Sequence, residues 1–344
     1  MTLNTGTGHP HAMATAFPQK ADTVSRRAAK LNRLSLRKAS RPTRHTAIWS
    51  AIVLLPFLLC GSGAFAEDAQ QPPERVTFPS ADGKTTLVGY IFEPSGGDGS
   101  PHPAVVLMHG RSGAYSTNAQ GVYNATTLSL RHKAWGHEWA AHGYVALLVD
   151  GFGPRGYAKG FGRFTYDERP AELDETSKRP LDAYGALAYL KSRSDVVPQQ
   201  IGLMGWSNGG SATLAAMAWD APGQNSPKGT QAFRAGLAFY PACGLKGRFD
   251  EHPFRPYAPV LILHGTGDEE VSSDRCADFA EKSRAAGGNV EIELFEDATH
   301  GFDSPTRNRQ EVEANRVAFE AATEKALEFF DRYVKGQLAT GKHD

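Results

Sequence analysis

The chain has 344 residues, 37 of them lysine or arginine and 37 aspartate or glutamate, for a formal net charge of zero. Residues 1–66 hold nine of the basic residues and one acid, so the remainder carries 28 basic and 36 acidic side chains, a net charge of −8. That balance argues against nucleic acid and anionic membrane surfaces as partners, and without internal repeats, zinc-ligand spacings or a phosphate loop no metal or cofactor is expected.

Residues 1–66 read as an export signal behind a basic leader, removed in the mature protein. Basic side chains run from Lys20 to Arg44, an apolar stretch covers residues 46–59, and Ala64-Phe65-Ala66 forms a small-residue cleavage site ahead of Glu67. The apolar stretch falls short of the roughly 20 residues that span a bilayer, and Pro56 interrupts it. No stable membrane insertion is expected once the signal is gone. Two alternatives are lipidation at Cys60 and a start at Met13. Residues 67–344 are expected to form a single domain, exported to the periplasm or the extracellular medium.

Within that domain strands and helices alternate, the pattern of a mostly parallel, doubly wound α/β sheet. Residues 75–78 and 86–92 alternate in polarity around a turn at Ala81-Asp82-Gly83, which predicts an antiparallel leading pair. Residues 104–108 begin the parallel set. A helix over 128–141 leads to a strand over 144–149. A second helix, with Ala183, Leu187 and Leu190 on one face, leads to the apolar run 201–204. A helix over 209–218, a strand over 235–240, strands over 259–264 and 290–295, and a closing helix over 311–334 complete the set. The polar stretch 151–177 has no periodicity and is the expected rim of a substrate pocket.

The chemistry sits where these elements meet. Gly205-Trp206-Ser207-Asn208-Gly209-Gly210 follows the 201–204 run directly, and Gly-x-Ser-x-Gly between a strand and a helix is a nucleophile elbow. Its glycines are required because side chains there would collide as strand and helix close on each other. Asp268 follows the strand over 259–264, and His300 lies in the loop after 290–295. Asp274, Asp297 and Asp303 are the competing carboxylates. Serine needs an imidazole to take its proton and a carboxylate to orient that imidazole, and the chain order Ser, Asp, His is that of the α/β-hydrolases. The oxyanion donors are expected to be the amides of Asn208 and of Arg111, the latter in the loop after residues 104–108. His109 and His264 end strands and are expected to support their turns.

Three features have two readings. Trp206 borders the acyl pocket or packs in the core. Arg155 binds a substrate carboxylate or pins the Gly153-Pro154 loop through an ion pair. Cys243 and Cys276, both placed near the C-terminal edge of adjacent strands, form a disulfide suited to an exported protein or remain two buried thiols.

The elbow, Asp268, the Ala298-Thr299-His300-Gly301-Phe302 segment and Val149-Asp150-Gly151-Phe152-Gly153-Pro154-Arg155-Gly156 resemble the dienelactone hydrolase family over about residues 74–335. The resemblance implies an α/β-hydrolase fold and a hydrolase acting on small esters or lactones without a cofactor. Dienelactone hydrolases themselves carry a cysteine where this chain has Ser207, and a glutamate beside it where this chain has His109 and its neighbours. The expectation is therefore a serine hydrolase working through an acyl-enzyme. The rivals are a prolyl-oligopeptidase-like peptidase and a non-catalytic binding protein on the same fold.

Overall fold

Alternating polarity makes the first two strands a hairpin. In the computed structural model, which describes residues 72–96, 99–223 and 232–336, β1 (Glu74–Pro79) and β2 (Thr86–Phe92) pair antiparallel from Glu74↔Ile91 to Pro79↔Thr86. These residues belong to one unit, Ala66–Asp344. The export-signal reading of residues 1–66 lies outside the described residues. Among the described residues no helix is long and apolar enough to cross a membrane.

Six further strands follow: β3 (His102–Met108), β4 (Val145–Asp150), β5 (Val196–Trp206), β6 (Gly236–Phe239), β7 (Val260–Gly265) and β8 (Val290–Phe295). With the hairpin they form one sheet in the order β1-β2-β4-β3-β5-β6-β7-β8, in which the β1–β2 and β2–β4 pairs are antiparallel and the rest parallel. Every residue of β4, β6 and β7 is buried, as expected for strands covered on both faces. The helices are α1 (Leu130–Ala141), α2 (Arg179–Ser192), α3 (Asn208–Met217), α4 (Ser273–Ala285), the single turn α5 (Arg307–Gln310) and α6 (Glu313–Tyr333).

The period of two along the strands sorts the core into two layers. Val106, Met108, Leu147 and Val149 pack with Leu187 and Leu190 of α2, Leu214 of α3 and Phe279 of α4. Their neighbours Val105, Leu107, Ala146 and Leu148 pack on the other face with Trp135 and Trp139 of α1 and Phe329 and Phe330 of α6. The closing helix departs from its predicted extent. Val312 is extended, with φ −83° and ψ 113°, and separates α5 from α6. Buried Asn315 holds this break by donating to the Arg309 carbonyl and accepting from the Thr299 amide.

Cys243, in the loop after β6, is bonded to Cys276 of α4 across a separation of 33 residues. Closing a loop of that size stabilises a fold by about 3–4 kcal/mol through the unfolded chain. The double variant Cys243→Ser/Cys276→Ser is expected to lose that much in urea unfolding, with a somewhat larger m because the unfolded chain is no longer cross-linked. A loss below about 1 kcal/mol would show that the bond does not constrain the unfolded protein.

Candidate active site

β5 runs into α3 without a loop, and Ser207 alone makes the turn. Its φ of 51° and ψ of −116° are a strained conformation for a residue with a side chain, of the order of 1–3 kcal/mol. Such strain persists only where the surroundings enforce it. A Cβ on Gly205 would lie 2.2 Å from the Gly209 carbonyl oxygen, and one on Gly209 would lie 2.0 Å from the Met108 oxygen and 2.5 Å from the His109 oxygen. Bare backbone at both positions lets β5, α3 and the end of β3 close on each other, leaving the serine at the C-terminal edge of the sheet.

The two predicted partners converge on it. His300 Nε2 lies 3.0 Å from Ser207 Oγ, and His300 Nδ1 lies 2.8 Å from Asp268 Oδ2. The other carboxylate oxygen, Oδ1, accepts the amides of Glu270 at 2.8 Å and Val271 at 2.9 Å. Burial acts to raise the Asp268 carboxyl, but the His300 hydrogen bond and charge and these two amides outweigh it, so the group lies below its ordinary value and stays ionised. Of the competing carboxylates, Asp303 is fully buried and engaged elsewhere. It accepts Trp135 Nε1 at 2.9 Å and Tyr240 Oη at 2.5 Å, and pairs with Arg131 at 3.1 Å. Arg131 also donates to the Gly301 carbonyl, and the Tyr240 ring meets the His300 imidazole edge-on at 4.6 Å. Asp303 thus anchors the loop that carries His300.

The oxyanion side is built by β3 and α3. Asn208 is the first residue of α3, so its amide has no acceptor within the helix. The His109–Arg111 turn lies against Ser207: a Cβ on Gly110 would be 3.5 Å from Ser207 Cβ. The Arg111 guanidinium turns to Glu270, donating from Nε at 3.1 Å and from Nη2 at 2.8 Å. Glu270 Oε2 is in turn 3.8 Å from His300 Nε2. Arg163, from the rim stretch, reaches both Glu269 and Glu270, and Glu269 accepts the His300 amide at 3.0 Å. Burial raises Glu269, but the His300 amide and Arg163 hold it down at about 2.

Two predicted substrate contacts require correction. Arg155 gives Nη1 and Nη2 to the two oxygens of buried Asp182, each at 2.8 Å, and Nη1 to the Gly151 carbonyl at 2.6 Å. Its donors are committed to the loop, so the ion-pair reading holds and the substrate-carboxylate reading does not. Trp206 is fully buried, packed in the core among His132, Trp135 and Phe239. Burying an indole removes about 200 Å² from water, worth roughly 5 kcal/mol before entropy, so packing alone accounts for it. His109 and His264 are both buried at their strand ends, with Nδ1 against the carbonyls of Gly110 and Gly265. Burial and then the charge of Arg179 push His109 well below its ordinary value.

Sequence reasoning missed the side chains behind the site. Arg179 and Glu175 are charged residues that resemble ordinary surface positions in the sequence, yet both are buried, and Asp303, weighed there only as a rival to Asp268, is buried as the anchor of the His300 loop. The one usable signal was the placement of Glu175 and Arg179 at the end of the aperiodic rim, next to a helix start.

A mostly parallel eight-stranded sheet with a serine elbow at a strand end defines an α/β-hydrolase. The chain belongs to the dienelactone hydrolase family, whose model matches residues 87–334. Among solved structures it is similar to the apo form of Thermogutta terrifontis esterase 2, at 21% identity and a TM-score of 0.53, covering 76% of this chain and 96% of that one. The butyrate-bound form of that thermophilic esterase matches at 20% identity and a TM-score of 0.53, over 79% and 98%. At such identities the likeness speaks to the fold. The dipeptidyl aminopeptidase BIII of Pseudoxanthomonas mexicana is 26% identical over 74% of this chain and 38% of its own length. A Bradyrhizobium sp protein named "Probable 2-oxo-3-(5-oxofuran-2-ylidene)propanoate lactonase" is 24% identical over 49% of this chain and 66% of its own. The chain thus spans between 38% and 66% of the length of these two relatives.

Proposed function

We propose that this protein cleaves small carboxylic esters, lactones included, through an acyl-enzyme on Ser207. The observation that carries the reading is the continuous hydrogen-bonded line from Ser207 Oγ through His300 to Asp268, at 3.0 and 2.8 Å. His300 Nε2 takes the hydroxyl proton as Oγ attacks the ester carbonyl, and Asp268 holds the imidazole in the reactive tautomer and stabilises its cation. The amides of Asn208 and Arg111 hold the oxyanion of the tetrahedral intermediate. His300 then protonates the leaving alkoxide, and the same base activates the water that releases the acid. No step calls for a metal or cofactor.

The test is turnover of p-nitrophenyl butyrate together with covalent labelling by a fluorophosphonate. Stoichiometric label on the peptide containing Ser207, with loss of turnover in step, supports the reading; turnover that persists in fully labelled protein would sink it. The likeness to a dipeptidyl aminopeptidase favours a second reading, a peptidase with the same three residues. A dipeptidyl p-nitroanilide hydrolysed faster than the butyrate ester would select it. A stable, unlabelled protein that binds esters without turning them over would point to the binding role.

The leader and the disulfide support export, because disulfides persist in oxidising compartments. Expressed from the full chain, the protein is expected in the periplasmic or extracellular fraction with Glu67 as its first residue, as read by intact mass. Full-length protein retained in the cytoplasm would refute export.

A further inference from the structure

Arg179 is the first residue of α2 and is 1% exposed, its guanidinium lying over the Phe152 ring at 5.0 Å. Burying a charge is expensive unless a partner offsets it, and a direct carboxylate would be the usual partner. Arg179 has none within hydrogen-bonding reach among the described residues. Asp182, the carboxylate whose charge acts most strongly on Arg179, accepts from Arg155 on both oxygens. Among the described residues Nε and Nη2 of Arg179 hydrogen-bond to no protein atom. What the side chain does contact is specific. Its Nη1 donates to the His109 carbonyl at 2.8 Å and to Asn208 Oδ1 at 2.6 Å. The other end of the Asn208 amide, Nδ2, donates to buried Glu175 at 3.1 Å.

Those two acceptors belong to the two segments that carry the oxyanion donors. The His109 carbonyl enters the turn leading to the Arg111 amide. Asn208 is the residue whose own amide supplies the second donor. We propose that Arg179 is a positioning residue for the oxyanion hole: one nitrogen clamps the β3 turn and the head of α3 in a fixed relation, and Glu175 sets the Asn208 side chain from behind. This rests on the ester-hydrolase reading of the site. Preorganised donors stabilise an oxyanion because they need not reorient when charge develops, and a positive group behind them adds to the field. Burial lowers Arg179 only to about 10, so the guanidinium keeps its charge at neutral pH. The energetic penalty of an incompletely partnered buried cation is explained by catalysis rather than by folding.

The experiment compares Arg179→Met, Arg179→Lys and Asn208→Ala with the parent, all in the full chain, with active sites counted by fluorophosphonate titration. Each is assayed for kcat and KM on p-nitrophenyl butyrate and for inhibition by an alkyl trifluoromethyl ketone, which forms a tetrahedral adduct on the serine. In Arg179→Met the rate per titrated site is expected to fall by about 10²–10³, with KM within about threefold and the ketone weakened in the same proportion. Arg179→Lys keeps a charge and enough donors for both acceptors, but its ammonium ends one bond short of the Nη1 position that reaches them, and is expected to recover part of the loss. A variant with a lower Tm but an unchanged rate per titrated site and unchanged ketone affinity would overturn the assignment. Should Arg179→Met fail to fold, Asn208→Ala decides: a parallel loss in kcat and ketone affinity supports the clamp, and no change in either refutes it. A parent whose turnover survives Ser207→Ala would instead remove the ester-hydrolase reading, and the clamp with it.

Discussion

Replacing Ser207 with alanine is expected to lower kcat for ester hydrolysis by about 10³-fold or more, and His300→Ala by a similar factor. The double variant should be no worse than either single one, because the two side chains act on one proton in one step and the loss is not additive. The geometry behind this is short and closed: Oγ to Nε2 at 3.0 Å, Nδ1 to Oδ2 at 2.8 Å, and the far carboxylate oxygen saturated by two backbone amides. An isolated serine hydroxyl has no base, and an isolated histidine in this loop has no nucleophile. Both variants should fold, since Ser207 Oγ makes its one side-chain contact to His300, and Asp303 continues to anchor the loop through Trp135, Tyr240 and Arg131. Circular dichroism and Tm near those of the parent, with turnover lowered by that factor yet still above the uncatalysed rate through the remaining oxyanion donors, is the expected result. Single variants that keep a tenth of parental kcat would exclude these residues as nucleophile and base.

Gly209→Ala is expected to damage the protein more broadly. The added methyl would stand 2.0 Å from the Met108 oxygen and 2.5 Å from the His109 oxygen, both backbone atoms of the central β3 and its turn. No rotamer change relieves a backbone clash, so β3 and α3 must separate, at a cost of about 3 kcal/mol or more. For a domain of this size that is a fall in Tm of roughly 6–12 °C. Activity should fall further than stability, because the displaced carbonyl of His109 belongs to the turn carrying the Arg111 amide. A variant with parental Tm and kcat would show that the elbow does not pack this tightly in the protein.

Much of the fold and the site was legible in the sequence, and the reasons are local. Strands 86–92 and 290–295 were predicted to the residue because alternation and bounding turns act over a few positions. The elbow at Ser207 was legible because its steric demands fall on neighbours two residues away. Asp268 and His300 were legible because each follows a strand in a parallel sheet, where functional loops gather. Val312 was not seen to break the closing helix, since the break depends on Asn315 reaching back to Thr299.

What the sequence by itself determined is an arrangement: a serine, an aspartate and a histidine in that order after strands of one sheet, and glycines where backbone must meet backbone. The tertiary structure decided which charged and aromatic side chains serve it. Trp206 lies beside the nucleophile in sequence yet packs into the core, and Arg155 is held by Asp182, 27 residues on. Arg179 meets the carbonyl of His109 across 70 residues, and Asp303 meets Trp135 across 168. Partners at such separations leave no periodic trace in the chain. A buried arginine and a surface one are the same letter until the fold sets what surrounds them, because burial and hydrogen bonding, not residue type, fix the work a charge can do.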